Sequence, residues 1–359
     1  MSTDTSTATR VAVTVLERPA YLAIVALAAA LVAPFVLANS YQINVLVLVL
    51  LFILLALSLD LLLGYMGYLS LAHHGLWAVG AYTSAILSVK AGLDVWPSVL
   101  AATLFTGLFG AALAVPAFRV RGHYFALATL AIGELIRIVI NNWVGLTEGP
   151  FGLTDIPSPA LPAVGSLDTR LEFYYVILAI VVAVVLGFVR LLRSPYGRCL
   201  RTIREDEDLA EAQGLHLMHY KVSAYAISAS IAGVSGALFA HYQHVIGPDN
   251  FEIHFMAEML VIVIVGGSGV LAGLIVGPLI FIPLPEFLRG LNQLGGESGF
   301  VDALSESRLL VFGALLIFII IRAPEGLAGR ARAALRRRAG AVAPDRPGPE
   351  VDPDERGES

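Results

Sequence analysis

Long apolar stretches separated by short polar segments dominate the chain. Several of these stretches reach the ~17–25 residues that a helix needs to cross a hydrocarbon core about 30 Å thick. The stretches are continuous and lack the strict alternation typical of the strands of a membrane barrel, so strands are not expected. The sequence therefore predicts an all-α, polytopic integral membrane helix bundle with about ten transmembrane segments. The predicted spans are residues 21–38, 44–63, 76–89, 96–118, 123–143, 173–192, 222–242, two short helices within 256–289, and 308–321.

The polar segments divide the chain into three parts. Residues 1–20 form a polar N-terminal segment, residues 21–322 form the membrane domain, and residues 323–359 form an Arg-rich and then Pro- and acid-rich tail. We expect the tail to be disordered, because it offers few apolar side chains for a core. The long connection at 142–172 contains four prolines and is predicted to be irregular and without helix.

Composition and charge placement fix the class and the orientation. The chain is 57% hydrophobic and 14% charged, whereas soluble domains have about 25% charged residues. Most of the 23 lysines and arginines fall on one predicted side of the membrane. This predicts a multi-pass protein of the cell (plasma or inner) membrane with both termini and the loop at 193–221 in the cytoplasm. It also requires 256–289 to cross twice. The predicted outer side holds Lys90, Arg170, Arg289 and Arg308.

No catalytic constellation is present in the sequence. There is no H-E-x-x-H motif, and neither of the two lysines, Lys90 and Lys221, lies in a G-x-x-x-x-G-K-[ST] loop. The single cysteine, Cys199, excludes an intrachain disulfide and a cysteine-based metal cluster. We therefore predict no catalytic residue, no metal site, no cofactor bound by this chain and no enzyme activity. An energised transporter of this composition needs a nucleotide site on another polypeptide or an ion gradient.

The segment RSPYGRCLRTIREDEDLAEAQG, residues 193–214, is a densely charged loop between two predicted spans. Its mixed charges predict a short amphipathic helix that offers a surface to a soluble partner, ended by a glycine that turns the chain back. A solvated connector is the alternative. We call residues 193–221 the charged loop. Its candidate contact residues are Arg198, Arg201, Arg204, Glu205, Asp206, Glu207, Glu211, Ala212 and Gly214.

Polar residues inside the predicted spans are candidates for a translocation path. Glu134 and Arg137 lie at i,i+3 in the fifth span and share a helix face. Charges at that depth are costly, so the two either line a path or neutralise each other to fix packing. His73 and His74 would bond a neighbouring helix or relay protons. The other candidates are Asn141 and Asn142 at the outer end of the fifth span, and Gly266, Gly267 and Gly269 at the break within 256–289.

The glycines of 256–289 allow a second interpretation. Gly269, Gly273 and Gly277 repeat at a spacing of four, which is typical of a ridge of small residues for close helix packing in membranes. A break in a membrane helix can also build a transport site. The sequence leaves both roles open.

Several segments occur in order between about residues 55 and 326. They are GYMGYLSLAH at 64–73, GAY at 80–82, RGHYFALATL at 121–130 running to Glu134 and Arg137, NNW at 141–143, LTEGPFGL at 146–153, SPYGR at 194–198, IREDE at 203–207, AEAQG at 210–214 and PEGL at 324–327. Together they resemble the permease subunits of branched-chain amino acid ABC transporters, in particular the M-type subunit.

This resemblance implies a heteromeric importer driven by ATP hydrolysis on separate subunits. The implied partners are a second permease subunit, two cytoplasmic ATPase subunits that carry ATP and Mg, an extracytoplasmic solute-binding protein and membrane lipid, without nucleic acid. The charged loop would be the coupling element, with Glu211-Ala212 and Gly214 resembling a compressed E-A-A…G pattern. The implied substrates are branched-chain amino acids, with urea, short amides or aromatic acids as alternatives. An ion-coupled secondary transporter using His73, His74, Glu134 and Arg137 is the main rival. A membrane enzyme or an uncoupled pore agrees less well with the residues.

Overall fold

The structure is a computed structural model that describes residues 19–36, 40–120, 122–161, 165–166 and 169–284. The predictions for the start of the N-terminal segment, the last span at 308–321 and the tail at 323–359 lie outside these residues.

Helices make up most of the described chain. They are α1 (Pro19–Val36), α2 (Ser40–Leu63), α3 (His73–Val89), α4 (Val95–Ala117), α5 (His123–Asn142), α6 (Val144–Thr147), α7 (Arg170–Arg193), α8 (Pro195–Glu205), α9 (Glu207–Ala212), α10 (Leu217–Gln243), α11 (Ile253–Gly266) and α12 (Leu271–Phe281). Two 3₁₀ turns, Gly149–Phe151 and Pro248–Phe251, and two short strands, β1 (Ala160–Leu161) and β2 (Gly165–Ser166), complete the described elements.

The all-α prediction is confirmed. Among the described residues, five helices are long and apolar enough to cross a membrane, namely α2, α4, α5, α7 and α10. Each coincides with a predicted span to within five residues at either end. Helix α3 begins at His73, three residues before the predicted start of its span, so both candidate histidines lie in its first turn.

Helix α10 lies at the centre of the bundle and packs against α2, α3 and α4. Small residues allow the close crossings. A Cβ atom built on Gly80 of α3 would lie only 2.5 Å from the Cα atom of Gly233 in α10, and one on Gly110 of α4 would lie 2.3 Å from the Cβ of Ala229. Close backbone approach through small side chains is how membrane helices gain packing energy, because lipid tails provide no hydrophobic driving force between helices.

Apolar and aromatic side chains fill the centre of the bundle. Helix α2 is buried along most of its length. The indole ring of Trp77 in α3 packs against four phenylalanine rings, with centroids 6.1 Å from Phe52, 4.7 Å from Phe239, 4.9 Å from Phe251 and 6.1 Å from Phe255. Edge-to-face and tilted contacts of this kind add to the energy of burial. The core therefore joins α2, α3, α10 and the 3₁₀ turn before α11.

Helices α11 and α12 form a tight hairpin, which confirms two short helices meeting at glycines within the described part of 256–289. Gly267 and Gly269 have φ angles of +114° and +78° in the turn, a conformation that costs glycine little. A Cβ on Gly273 would lie 2.2 Å from the carbonyl oxygen of Gly266. The predicted ridge of small residues at 269, 273 and 277 is wrong for Gly269. Helix α12 begins at Leu271, so Gly269 lies in the turn before the helix.

The connection at 142–172 is more ordered than predicted. It contains the four-residue helix α6, a 3₁₀ turn and the antiparallel β1–β2 pair, in which Ala160 lies opposite Ser166. Leu153 forms a further backbone bridge to Ile246, after α10. The expectation that this segment is irregular and without helix is therefore wrong for these short elements. The prolines restrict the length of each element without preventing it.

Candidate functional site

The charged loop folds into two short helices, α8 and α9, where a single helix was expected. The break is at Asp206, whose backbone is extended with φ −159° and ψ 114°. Its carboxylate oxygen Oδ1 accepts a hydrogen bond of 3.0 Å from the backbone N–H of Leu209 and so caps α9. After α9, Gly214 has φ +85° and turns the chain toward α10, as predicted.

One acidic residue of the charged loop faces the bundle instead of a partner. The carboxylate of Glu207 lies 2.8 Å from the ammonium of Lys221, which is buried at the start of α10. It also accepts a hydrogen bond from the hydroxyl of Tyr68, and the ammonium of Lys221 lies 4.9 Å from the centre of the Tyr68 ring. The structure therefore places Glu207, a predicted partner-contact residue, in an internal anchor that holds α9 against the bundle.

Two arginines of the loop bond backbone carbonyls while their side chains stay largely exposed. Arg204 donates a hydrogen bond to the carbonyl of Gly64, at the end of α2. Arg201 donates to the carbonyl of Leu192 at 2.8 Å and is bound to its own segment. Of the candidate contact residues, those exposed to solvent are Arg198, Arg201, Arg204, Glu205, Asp206, Glu211, Ala212 and Gly214. Leu209 of α9 lies among these residues and is 54% exposed. It was not one of the contact residues predicted from the sequence.

A cleft of about 510 Å³ lies between the charged loop, the segment 66–69 and the start of α5. Its lining includes His123 and the side chains from Arg204 to Glu207. We call the end of the bundle that carries this cleft and the charged loop the loop end. Its mixed charges surround a concave surface, which is a shape that a protruding element of another protein can enter.

The α11–α12 turn also lies at the loop end, where Asp60 of α2 holds it. The Asp60 carboxylate is buried and accepts hydrogen bonds from the Ser268 hydroxyl at 2.8 Å and from the Gly269 N–H at 2.9 Å. The hydroxyl of Tyr65 donates to the Gly269 carbonyl at 3.2 Å. Burial raises the pKa of Tyr65 to about 12, which keeps this hydroxyl protonated.

This contact was not found from the sequence, because Asp60 and Ser268 are far apart in the chain. A Cβ on Gly64 would lie 2.5 Å from the backbone nitrogen of Gly269, so only glycine allows the approach. The candidates Gly266, Gly267 and Gly269 therefore lie at the loop end, beside the charged loop, and not at the middle of the bundle.

Glu134 and Arg137 form the predicted ion pair on α5. The guanidinium Nε donates to Oε1 of Glu134 at 2.8 Å. Glu134 lies eleven residues after the first residue of α5, which is about 17 Å along the helix and close to its middle. The two side chains are 31% and 26% exposed, respectively. The exposed Ile138, four residues after Glu134, shares a face of α5 with Glu134.

His74 faces this pair from α3. Its imidazole is buried, and its Nε2 lies 3.9 Å from Oε2 of Glu134, which is too long for a hydrogen bond. Among the described residues, neither of these two atoms has a hydrogen-bond partner. The ring lies directly over Gly133, where a Cβ would be 2.4 Å from the His74 Cε1. The glycine before Glu134 thus makes the space that brings His74 to the pair.

His73 belongs to a different network. Its Nε2 lies 2.9 Å from the hydroxyl of Ser228 in α10, which in turn donates to the Ser58 carbonyl in α2 at 2.7 Å. This buried network joins three helices, as one of the two interpretations of the histidines predicted. The adjacent histidines therefore point to different neighbours, and only His74 lies at the ion pair.

The two asparagines lie near the end of α5. Asn142 donates its side-chain amide back to the Ile138 carbonyl at 2.8 Å, so it bonds its own helix. Asn141 is partly buried one turn beyond Arg137. No group of three or more His, Cys, Asp or Glu side chains that could hold a metal ion occurs in the part of the chain that the structure describes.

Comparison with known proteins agrees with this architecture. The family described as "Branched-chain amino acid transport system / permease component" matches residues 41–320. The chain is 32% identical over 306 residues to the high-affinity branched-chain amino acid transport system permease protein LivM of Escherichia coli strain K12, covering 79% of this chain and 69% of the relative. No solved structure matches the chain.

More distant relatives carry other names. The probable branched-chain amino acid transport permease protein LivM of Methanocaldococcus jannaschii is 25% identical, covering 64% of this chain and 67% of the relative. The guanosine ABC transporter permease protein NupQ of Bacillus subtilis is 27% identical over 48% of this chain and 59% of its own length. These are permease proteins and not enzymes. The chain is a multi-pass protein of the cell membrane and belongs to the branched-chain amino acid transport system permease family.

Proposed function

We propose that this chain is one of two membrane-spanning subunits of an ABC importer that moves branched-chain amino acids into the cell. An extracytoplasmic binding protein delivers the substrate, and two cytoplasmic ATPase subunits hold ATP and Mg. The family membership supports the transporter class, and two relatives named for branched-chain amino acids are 32% identical to this chain over 79% of its length. Permeases named for guanosine and nucleosides are related more weakly.

The way in which the charged loop is anchored and exposed is the observation that supports its coupling role. Its inner side is fixed to the bundle by the Glu207–Lys221 ion pair, the Tyr68 hydroxyl and the Arg204 contact to Gly64. Its outer side presents charged side chains around the exposed Leu209. A rigid element anchored on one side and exposed on the other can transmit a movement of a soluble partner to the helices beneath it. A solvated connector needs no such internal anchors.

Reconstitution tests this function directly. The chain is co-purified with the subunits encoded beside it and placed in proteoliposomes, with the binding protein outside and ATP trapped inside. We expect uptake of labelled leucine that requires both ATP and the binding protein. Unlabelled isoleucine and valine should compete, whereas guanosine, ribose and urea should not.

Two controls make the result decisive. Vesicles containing a hydrolysis-deficient ATPase subunit should lose the uptake while retaining all subunits. ATP-dependent uptake of a nucleoside in place of leucine would show that the substrate assignment is wrong, whereas the assignment to the ABC importers would stand. Leucine uptake driven by a proton gradient in vesicles that hold this chain without the ATPases would refute the proposal in favour of a secondary transporter.

A further inference from the structure

Helix α5 carries a stripe of polar side chains along one side, from one end of the membrane span to the other. The stripe consists of His123, Glu134, Arg137 and Asn141. At 3.6 residues per turn, these four positions fall within about 60° of one another around the helix axis. The buried residues of α5, such as Ile136, lie on a different side, and α5 packs on α3. The polar stripe is therefore separate from the buried face of α5.

The middle of this stripe is partly exposed at a depth where lipid tails would surround a lone bundle. The side chains of Glu134 and Arg137 are 31% and 26% exposed, respectively. They lie about 17 and 21 Å along a helix of 20 residues. Charged side chains at this depth are costly toward lipid and face other helices or a water-filled cavity instead. The exposed side of α4, by contrast, carries the apolar Leu100, Leu104 and Leu108 and suits lipid.

A second element brings more charge to the same depth. Helix α11 ends at the turn that lies at the loop end, and its 14 residues span about 21 Å. Helix α5 starts at the loop-end cleft with His123, so the start of α11 and Arg137 lie at similar distances from the loop end. The carboxylates of Asp249 and Glu252, just before α11, interact electrostatically with Arg137. Asp249 is exposed, and Glu252 is 44% exposed and lies 3.2 Å from Nδ1 of His254.

These two elements form one charged surface, which we call the polar ribbon. It consists of Glu134, Arg137, Asp249, Glu252 and His254. Three acids and one arginine give it a formal charge of −2 when the histidine is neutral. Two copies of this chain that met through the ribbon would bring like charges together at the middle of the membrane, which opposes binding. A facing surface of the opposite charge would favour binding instead.

We propose that the polar ribbon faces the second membrane-spanning subunit of the transporter. That subunit is a different chain, and its surface opposite the ribbon carries a net positive charge. The exposed leucines of α4 then face lipid. The inference rests on the proposed function, because it identifies the surface through which one of the proposed partners binds.

A photo-cross-linking experiment in the assembled transporter tests which surface the second subunit covers. Ile138 lies at the edge of the ribbon, one turn from Glu134, and is 46% exposed. Leu104 of α4 is 60% exposed, and both residues lie about 20 Å along their helices from the loop end. Ile138→Cys and Leu104→Cys are each made in a Cys199→Ser background with cysteine-free partner subunits. Both are coupled to benzophenone maleimide and irradiated in nanodiscs.

We expect the probe at position 138 to cross-link to the second subunit in at least fivefold higher yield than the probe at position 104. The α4 probe should react mainly with lipid. Equal yields from the two positions, or reaction mainly with lipid at position 138, would refute the proposed surface. Cross-links from position 138 to a second copy of this chain would refute the assignment to a different subunit.

Co-purification tests the charge of the facing surface. This chain is expressed in two differently tagged forms together with the second subunit. Asp249→Asn/Glu252→Gln removes two negative charges from the ribbon. Asp94→Asn/Asp155→Asn removes two exposed negative charges elsewhere and is the matched control. We expect recovery of the second subunit to fall at least threefold in the ribbon variant, with pairs of the two tagged forms appearing, and to stay unchanged in the control.

Unchanged recovery in the ribbon variant, or equal losses in both variants, would show that the facing surface does not depend on positive charge. The amount of this chain in the membrane fraction checks that each variant folds, and the cross-linking result does not depend on the charge variants. The two proposals fail separately. A transporter that imports leucine with ATP but gives the contrary cross-linking or recovery result rejects the surface alone, whereas the absence of ATP-driven leucine uptake rejects the proposed function.

Discussion

The carboxylate of Asp60 is buried at the end of α2. Three groups in and around the α11–α12 turn stabilise its negative charge. The Ser268 hydroxyl and the Gly269 N–H donate to it directly, and the guanidinium of Arg204 contributes a favourable charge interaction. One carboxylate therefore fixes the turn of a hairpin that is about two hundred residues away in the chain. Multiple donors to one buried carboxylate are what make such a charge tolerable.

Replacing this carboxylate by an amide tests how much the turn depends on it. In Asp60→Asn, one of the two oxygens becomes an N–H donor, and the negative charge facing the Gly269 N–H is lost. We expect a loss of about 1–3 kcal/mol in the free energy of unfolding, as for other buried polar groups left with poor partners. Thermal unfolding of the purified protein in detergent measures it. Asp208→Asn, at an exposed position of α9, is the control and should change stability by less than about 0.5 kcal/mol.

Equal melting temperatures for the Asp60 and Asp208 variants would contradict this role. Ser268→Ala removes only one of the donors to Asp60 and leaves the backbone contact. It should fall between the two, with a loss of about 0.5–1.5 kcal/mol typical of a single hydrogen bond.

Some residue contacts followed from spacing alone, and others did not. Glu134 and Arg137 are three residues apart on one helix, so their ion pair was predictable and is present. The partner of a residue on another helix depends on which helices pack and in which register. For that reason the sequence left open which neighbour each histidine would meet. The contact between Asp60 and Ser268, two hundred and eight residues apart, was likewise not predicted.

At the scale of elements, the crossing of α3 and α10 depends on glycine at both contact positions. A Cβ on Gly80 would meet the backbone of Gly233, at 2.5 Å from both the Cα and the carbonyl oxygen. Backbone atoms cannot rotate away as a side chain can. The two helices would therefore have to separate, and the contacts around the crossing, including those of Trp77 with Phe239, would loosen.

We expect Gly80→Ala to lower the free energy of unfolding by about 1–3 kcal/mol, the usual cost of overpacking. The matched control is Gly187→Ala in α7, where a Cβ meets nothing within 4 Å. That variant should leave stability unchanged or raise it by up to about 1 kcal/mol, since alanine favours a helix interior over glycine. Thermal unfolding in the same detergent compares them. A Gly80 variant as stable as the Gly187 variant would mean that the helices do not cross this closely.

Most elements were predictable because a continuous apolar run of the right length has few alternatives in a membrane. The elements that differed are those set by local polar contacts. The charged loop was expected to be one helix, but the Asp206 side chain caps a second one. The segment 142–172 was expected to be irregular, but its backbone pairs locally and with Ile246 after α10. Short polar segments are determined by single hydrogen bonds, which hydropathy does not indicate.

Across the whole molecule, the segment 64–72 connects the charged loop to the middle of the bundle. Arg204 contacts Gly64 at its start, and Glu207 contacts Tyr68 within it. The segment then continues directly into His73 and His74 at the beginning of α3. A displacement of the charged loop thus acts through a few covalently linked residues on the histidine that faces Glu134. This short connection gives the proposed coupling a physical route through contiguous residues.

A substitution on the exposed surface of α9 tests the coupling role. A second exposed residue at the same end of the bundle serves as the control. Leu209 is 54% exposed on α9, and Met218, at the start of α10, is 45% exposed at the same end of the bundle. Leu209→Asp should weaken binding of the ATPase subunits, because a desolvated charge opposes burial in an interface. Met218→Asp adds the same charge outside α8 and α9. We expect ATP hydrolysis stimulated by the loaded binding protein to fall at least tenfold in the Leu209 variant and less than twofold in the Met218 variant.

Asp206 is unsuitable for this test because it caps α9, and Glu207 is unsuitable because it anchors α9 to Lys221. Changing either one would alter the loop itself as well as its surface. Leu209 has neither role, so co-purification of the ATPases with the Leu209 variant separates loss of contact from loss of fold, with membrane insertion as the check. Unchanged hydrolysis in the Leu209 variant, or equal losses in both variants, would argue that the ATPases bind elsewhere. In that case the internal anchors of the charged loop serve the bundle alone.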